Sequence, residues 1–463
     1  MKYVSTRGQA PALSFRDTML AGLASDGGLY VPESWPKFSS DQIASMAGKT
    51  YADVAIEVMW PFVQGEIDRG AFEKIVRETY ATFRHDAVCP LVQTGSQEFV
   101  LELFHGPTLA FKDIAMQLIG RLMDYVLTER DQRATIVGAT SGDTGGAAID
   151  AFAGRDRTDM FILFPTGRVS PVQQRQMTSS TAKNVHALSI DGNFDDCQDH
   201  VKAMFNHSAF REQVSLSGIN SINWARIMAQ IVYYFTSAVS LGAPERRVSF
   251  TVPTGNFGDI FAGYAAKRMG LGIDKLVIAT NDNDILARTL ETGTYSMEGV
   301  VKTTSPSMDI QISSNFERLL YKASDDNSEE VSAYMGSLKQ AGNFDIKAQT
   351  LTAIRKDFQA GRADVGETAN TIKSIRENCS YLLDPHTAIG VHVARKMADG
   401  STPMIVLGTA HPAKFPQAVE DASGVTPSLP DWLGDLMSRE ERFVSLPSDL
   451  KMIEDHISKL TRA

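Results

Sequence analysis

The chain has 463 residues, 43% apolar and 22% charged, with a formal net charge of -10 and an isoelectric point near 5.5. That length exceeds one ordinary core and predicts a globular protein of two or three domains, at roughly 100–200 residues each. The acidic balance disfavours a nucleic-acid partner, since a negative chain repels a phosphate backbone, but it leaves room for a local basic pocket around a small phosphorylated ligand.

Residues 1–15 contain no apolar stretch behind a basic start, so no secretory signal is expected there. Helical patterns over 41–47, 52–60 and 71–82 predict a mostly helical N-terminal region spanning 1–95. From residue 133 onward short β-branched runs alternate with helical patterns. Strands are expected at 134–137, 160–164, 185–190, 248–252, 275–279 and 404–407, with helices opening near Thr144, at Pro171 and near Phe194. Such alternation predicts an α/β protein with mostly parallel sheets covered by helices on both faces, and near-continuous apolar strands agree with burial on both sides. We expect a smaller α/β domain over 96–215 and a larger one over 216–463, the latter carrying a polar, largely helical elaboration near 296–378. The most apolar stretch, 227–241, is interrupted by Gln230, Thr236 and Ser237. It is too short and too polar to span a bilayer and predicts a buried core helix. Cys89, Cys197 and Cys379 are odd in number and far apart, which predicts reduced thiols in a cytoplasmic protein. No His, Cys or carboxylate constellation suggests a metal.

Five segments carry chemistry. In FHGPTLAFKD (104–113), Lys112 stands between Phe111 and an apolar helix pattern. A lysine in a partly dry site has a lowered pKa and can form a Schiff base with an aldehyde; alternatively, Lys112 and Asp113 form a plain ion pair at a helix start. In GATSGDTGG (138–146), glycines permit close backbone approach, the helix start attracts anions, and Ser141 and Thr144 add hydroxyls. A capped tight turn is the plainer reading. PTGNFGD (253–259) repeats the strand–turn–helix arrangement and reads as a second anion cradle. It fits neither the nucleotide P-loop nor the dinucleotide fingerprint, so a phosphate on something smaller is expected. In NSINWAR (220–226), Ser221, Asn223 and Arg226 are candidates for gripping a phosphate or carboxylate, or else an N-cap followed by a surface arginine. In LGTAHPAK (407–414), His411 and Lys414 read equally well as surface residues near a helix start. Two glycine-rich turns, one apolar-flanked lysine and no metal or nucleotide signature together indicate a covalently held phosphorylated cofactor.

The segment HGPTLAFKD (105–113) is very similar to the cofactor-lysine motif of the threonine synthase family. YVSTRG (3–8) and GLASDGGLYVP (22–32) resemble that family's opening, and GDTG (142–145), GNFGD (255–259) and TAHPAK (409–414) follow in order. The resemblance runs nearly end to end and implies a fold-type II pyridoxal-phosphate (PLP) enzyme related to tryptophan synthase β. It implies that Lys112 holds PLP and that Gly255, Asn256, Phe257, Gly258 and Asp259 hold its phosphate. Thr409 would face the pyridine nitrogen, and a hydroxyl there can only hydrogen-bond it, leaving a weaker electron sink than a carboxylate partner would. Ser141, Thr144, Ser221, Asn223 and Arg226 would bind substrate. Asp143 stands where many relatives place asparagine against the cofactor's ring hydroxyl, so a carboxylate there needs a shared proton or a partner cation.

The activity implied is conversion of O-phosphohomoserine and water to threonine and phosphate, with Lys112 as base at the α-carbon and the released phosphate, near Arg226 and Thr144, serving in proton transfer. A monomer or homodimer in the cytoplasm, with no membrane or nucleic-acid partner, is expected. Two other readings are a fold-type II lyase or dehydratase acting on serine, threonine or a phosphorylated amino acid, and a PLP-binding protein without catalysis. Of the histidines singled out, His105 is expected to shape the cofactor pocket more than His386 or His411.

Overall fold

A computed structural model describes residues 1–140, 142–218 and 220–463. The two main sheets have parallel strands at their centres. The larger has six strands in the order Phe358–Arg362, Ile273–Thr280, Val248–Pro253, Met404–Gly408, Glu98–Glu102 and Leu91–Gln93, antiparallel only at the last pair. The smaller has five strands, all parallel, in the order Val444–Leu446, Val185–Ile190, Thr158–Pro165, Ala134–Ala139 and Leu216–Ser217. This is the α/β architecture with mostly parallel sheets expected, and each of the six anticipated strands is present.

Local chemistry explains several boundaries. Ser170 accepts from Gln173 N and Pro171 occupies the first turn, so the helix Pro171–Thr178 starts where proline tolerates it. Asn193 caps Phe194–Asn206 in the same reciprocal way with Asp196. The apolar stretch near 227–241 is the helix Trp224–Ser240, with nearly every side chain buried. It packs against Tyr51–Val63, Lys112–Glu129 and Gly258–Arg268, and so ties an N-terminal helix to a helix of each later region. No helix among the described residues is long and apolar enough to cross a membrane.

Sheet membership departs from chain order. Leu91–Gln93 and Glu98–Glu102 fold back on each other through Thr94, whose amide donates to Glu98 O at 3.0 Å, and both join the larger sheet. At the other end, Val444–Leu446 returns to the smaller sheet, and Arg462 pairs with the buried Asp159 at 2.8 Å. The sheets therefore do not divide at 95/96 and 215/216. The region 1–95 contains the expected helices, as Ser40–Ala44, Tyr51–Val63 and Arg69–Tyr80, plus a strand pair, Tyr3–Ser5 with Tyr30–Pro32. Within 296–378 four α-helices are joined by the short strand Asn343–Asp345 and the edge strand Phe358–Arg362, which the sequence pattern did not reveal.

Candidate active site

Three segments that follow parallel strands converge with the loop before Lys112. Lys112 is the first residue of Lys112–Glu129. The loop ahead of it is held by strand-like contacts: Phe111 N donates to Thr409 O at 2.9 Å and His411 N to Leu109 O at 3.0 Å. Leu109 takes a left-handed φ of +62° to make this approach. Residues 109–111 thus run antiparallel to 409–411, which sets Thr409 against Phe111, the residue before Lys112.

Lys112 Nζ lies 3.6 Å from Asp143 Oδ2 and 5.4 Å from the centroid of the Phe111 ring. Burial lowers its pKa, the Asp143 carboxylate opposes that, and the nearby Arg226 and Lys414 cations lower it further. The adjacent Asp113 is not its partner. Asp113 is fully buried and turned toward Thr108, accepting from its hydroxyl at 2.6 Å and its amide at 2.8 Å, and burial pushes its carboxyl up to about 7. The plain Lys112–Asp113 pair is therefore absent.

Asp143 opens the helix Asp143–Phe152. Lys414 Nζ lies 3.0 Å from its Oδ1, and Gln173 donates to the same oxygen at 2.9 Å. Burial alone would raise this carboxyl, but the Lys414 and Lys112 cations, Gln173 and His386 outweigh it and hold Asp143 well below the usual carboxylate range. Gly142 at φ +147° lies against Gln173, and a Cβ there would overlap the Gln173 carboxamide. Thr144 is half-buried on the same turn; Ser141 lies outside the described residues.

The second turn is an anion cradle in its backbone. Phe257 takes φ +63° ahead of the helix Gly258–Arg268. Asn315 and Ser313 hold the carbonyls of Asn256 and Gly255, at 2.8 Å and 2.6 Å. The amides of Gly255, Asn256, Phe257, Gly258 and Asp259 donate to no acceptor among the described residues. A Cβ at Gly255 would stand 2.8 Å from Ser307 O. The Asp259 side chain, by contrast, is turned into the core, where one oxygen accepts from both the Tyr233 and Tyr234 hydroxyls.

Arg226 lies one turn into Trp224–Ser240, 5% exposed, with no hydrogen bond or ion pair from its guanidinium among the described residues; burial pushes its pKa down to about 10. A buried cation without a carboxylate is an anion seat in waiting. Asn223 is differently occupied: Oδ1 caps Ala225 N at 3.0 Å and Nδ2 donates to Met19 O at 2.8 Å, so both ends of the amide serve the fold. Ser221 is half-buried, and its carbonyl accepts from Asn315.

These features have the shape of a PLP site, and comparison with known proteins agrees. The chain matches the family model for the threonine synthase N terminus over residues 2–80, for pyridoxal-phosphate dependent enzymes over 91–341, and for the threonine synthase C-terminal region over 387–457. It is 53% identical to the threonine synthase of Pseudomonas aeruginosa over 99% of this chain and 98% of that one. The PLP-bound threonine synthase of Brucella melitensis superposes with a TM-score of 0.99 at 66% identity over 100% of both chains, and the yeast threonine synthase with 0.95 at 41% over 99% and 98%. The chain belongs to the threonine synthase family. Like other threonine synthases it is a PLP-dependent enzyme of threonine biosynthesis. The residues present fit the cofactor: five unpaired amides around a left-handed turn suit its phosphate, and a buried amine of lowered pKa suits its aldehyde.

Among the residues that sequence reasoning undervalued, Lys414 stands first. It read as a surface residue and has no exposed side-chain area. The histidine ranking also changes. His105 pairs with Glu102 at 2.6 Å, and His411 caps Ala413 N while burial pushes it down to about 4. His386 is the one that bears on Asp143: it is pinned to Asp384 at 2.8 Å and accepts from Ser307 N at 3.3 Å, and Ser307 Oγ reaches Asp143 Oδ2 at 3.4 Å. Ser307 and Gln173 carried no signal in the sequence. Among the described residues no group of three or more His, Cys, Asp or Glu is placed to hold a metal ion.

Proposed function

We propose that the enzyme converts O-phospho-L-homoserine and water to L-threonine and phosphate. Lys112 is the cofactor-holding lysine in this reading, the amides of Gly255 to Asp259 hold the cofactor phosphate, and Thr409 faces the ring nitrogen. The cofactor, when bound, supplies an electron sink for charge developing at the substrate's α- and β-carbons.

The chain's own residues do the rest. Lys112, whose burial favours the neutral amine, takes the α-proton and later returns one. The β-carbon loses a proton, the γ-carbon loses phosphate and gains a proton, and water adds its hydroxide to the β-carbon while its remaining proton ends on the released phosphate. Arg226 binds the departing phosphate, with Thr144 and Ser221 as polar neighbours. Asn223 acts indirectly, by fixing the start of the helix that carries Arg226. The observation that carries this reading is the pair of anion seats, one of backbone amides and one of a buried guanidinium with no carboxylate partner among the described residues. A dehydratase acting on unphosphorylated serine or threonine has no use for the second phosphate seat. A cytoplasmic monomer or homodimer, acting on a small molecule without nucleic acid, belongs to the same reading, and the net charge of -10 supports its last part.

Two variants test it. Lys112→Ala removes the visible absorbance of lysine-bound cofactor and all turnover; retention of both takes Lys112 out of the chemistry. Arg226→Ala weakens O-phosphohomoserine roughly 100-fold, the scale of a lost charge-assisted pair, and changes serine binding little. Equal losses for both ligands would show that Arg226 does not read the phosphate.

A further inference from the structure

Lys414 ends the short turn Pro412–Lys414, and its ammonium is enclosed by three separate segments. Nζ donates to Thr108 O at 2.7 Å, to Gln176 Oε1 at 2.9 Å, and pairs with Asp143 Oδ1 at 3.0 Å. An ammonium has three protons, so every one is committed. Lys112 approaches the other oxygen of the same carboxylate, at 3.6 Å. Asp143 therefore bridges two lysines of different standing: one saturated and immobile, the other free to react.

That asymmetry has a consequence. Whenever Lys112 gives up its proton, as a base must, Asp143 loses one of its two cations. A buried carboxylate left without a counter-ion is strongly destabilised, and it would take up a proton or pull away. We propose that Lys414 is a positioning residue, the permanent counter-ion that keeps Asp143 charged and in place while the charge on Lys112 changes. Thr108 adds to the arrangement: its carbonyl is held by Lys414 and by Gln176 at 3.0 Å, and its amide and hydroxyl by Asp113, so Lys414 also fixes the loop that leads into Lys112. The charged groups bearing on Lys112 are Asp143, Arg226 and Lys414 itself.

The proposal rests on the assignment of Lys112 as the working amine, and its test separates the two. Lys414→Met, Lys414→Arg, Asp143→Asn and the double variant Lys414→Met/Asp143→Asn are made in the full chain. Chemical unfolding is measured with and without cofactor. Lys414→Met lowers the folding equilibrium constant by roughly 100-fold or more, as expected for one broken member of a buried pair. The double variant removes the carboxylate together with its saturated cation and leaves only Lys112, whose burial favours the neutral amine, so it recovers most of that loss. In the cofactor-free chain, labelling of Lys112 by a small acylating reagent is followed against pH by peptide mass. Removing a neighbouring cation moves the Lys112 titration up by on the order of one pH unit in Lys414→Met, and Lys414→Arg leaves it in place. Additive unfolding losses in the double variant, or an unmoved Lys112 titration in Lys414→Met, would overturn the proposal. Failure of the cofactor-lysine assignment appears elsewhere, as absorbance retained in Lys112→Ala, and leaves both readouts standing.

Discussion

The two glycine-rich turns are built alike and used differently. Each follows a parallel strand, each opens a helix, and each places an aspartate in the first helical turn, Asp143 in one and Asp259 in the other. Asp143 faces two lysines and is held well below the ordinary carboxylate range. Asp259 faces two tyrosine hydroxyls and no cation; burial pushes it up to about 6, and its second oxygen has no partner among the described residues. One turn therefore presents a charge to the site, and the other hides its carboxyl in the core and presents only amides. A shared sequence pattern fixed the backbone of both, while the elements packed behind each turn decided the chemistry of the side chain.

The sharpest way to break this comparison is to neutralise each aspartate. At pH 7, Asp143→Asn strips a buried anion from between two cations and is expected to destabilise the chain by about 3–5 kcal/mol. Asp259→Asn retains an oxygen for both tyrosines and removes a charge that the core disfavours, so its effect is much smaller. The pH dependences run in opposite directions. Asp143, depressed in the folded state, contributes stability that is present above the ordinary pKa near 3.8 and is lost as pH falls below it. Asp259, raised in the folded state, keeps a proton that the unfolded chain releases. Stability therefore falls as pH rises from about 4 to about 6, by up to about 3 kcal/mol. Urea unfolding across pH 4 to 8 should show a steeper decline in the parent than in Asp259→Asn, in which only the decline owed to the other raised carboxyls, Asp113 above all, remains. Parallel curves would mean that the two carboxyls are not set apart as described.

Much of this frame was legible in the sequence because its signals are local. Apolar runs ending in Gly-Ala-Thr or Pro-Thr-Gly mark strand ends, and the glycines mark where the backbone turns toward a ligand. Lys414 was not legible, because its meaning lies in Thr108 and Gln176, 306 and 238 positions away. Asn223 misled for the same reason: its amide looks available until Met19 O, 204 residues distant, takes it. Glu98–Glu102 and Phe358–Arg362 are short strands with one β-branched residue between them, and sheet neighbours rather than propensity make them strands.

The turns themselves sharpen the contrast at intermediate magnitude. Gly142→Ala places a methyl in the Gln173 carboxamide at a φ that side chains rarely adopt, and Gly255→Ala places one 2.8 Å from the Ser307 carbonyl. Each is expected to cost about 1–3 kcal/mol from overpacking. Their functional signatures differ. Gly142→Ala displaces a ligand of Asp143 and alters the site's charge, whereas Gly255→Ala tightens the amide cradle and weakens cofactor retention. Equilibrium dialysis of cofactor, run beside the unfolding series, separates the two; equal loss of cofactor in both would erase the distinction drawn between the turns.

The smallest effect tests why Asp259 is buried at all. Tyr234 donates to both the carboxyl and the backbone carbonyl of Asp259, at 3.1 Å and 3.0 Å, while Tyr233 reaches the carboxyl alone. Each hydroxyl belongs to the helix that also carries Arg226, so the aspartate is a rivet between the cradle and the second anion seat. Below pH 6, where Asp259 keeps its proton, Tyr233→Phe and Tyr234→Phe are each expected to lose about 1 kcal/mol, the net worth of a neutral hydrogen bond. Because these bonds favour the charged carboxyl, losing either also raises the Asp259 pKa further and moves the decline in stability to higher pH. If the two bonds act through one carboxyl, the double variant departs from additivity by several tenths of a kcal/mol or more. Strict additivity would mean that the tyrosines merely fill space beside the turn, and that the alignment of cradle and guanidinium is set by packing of the two helices alone.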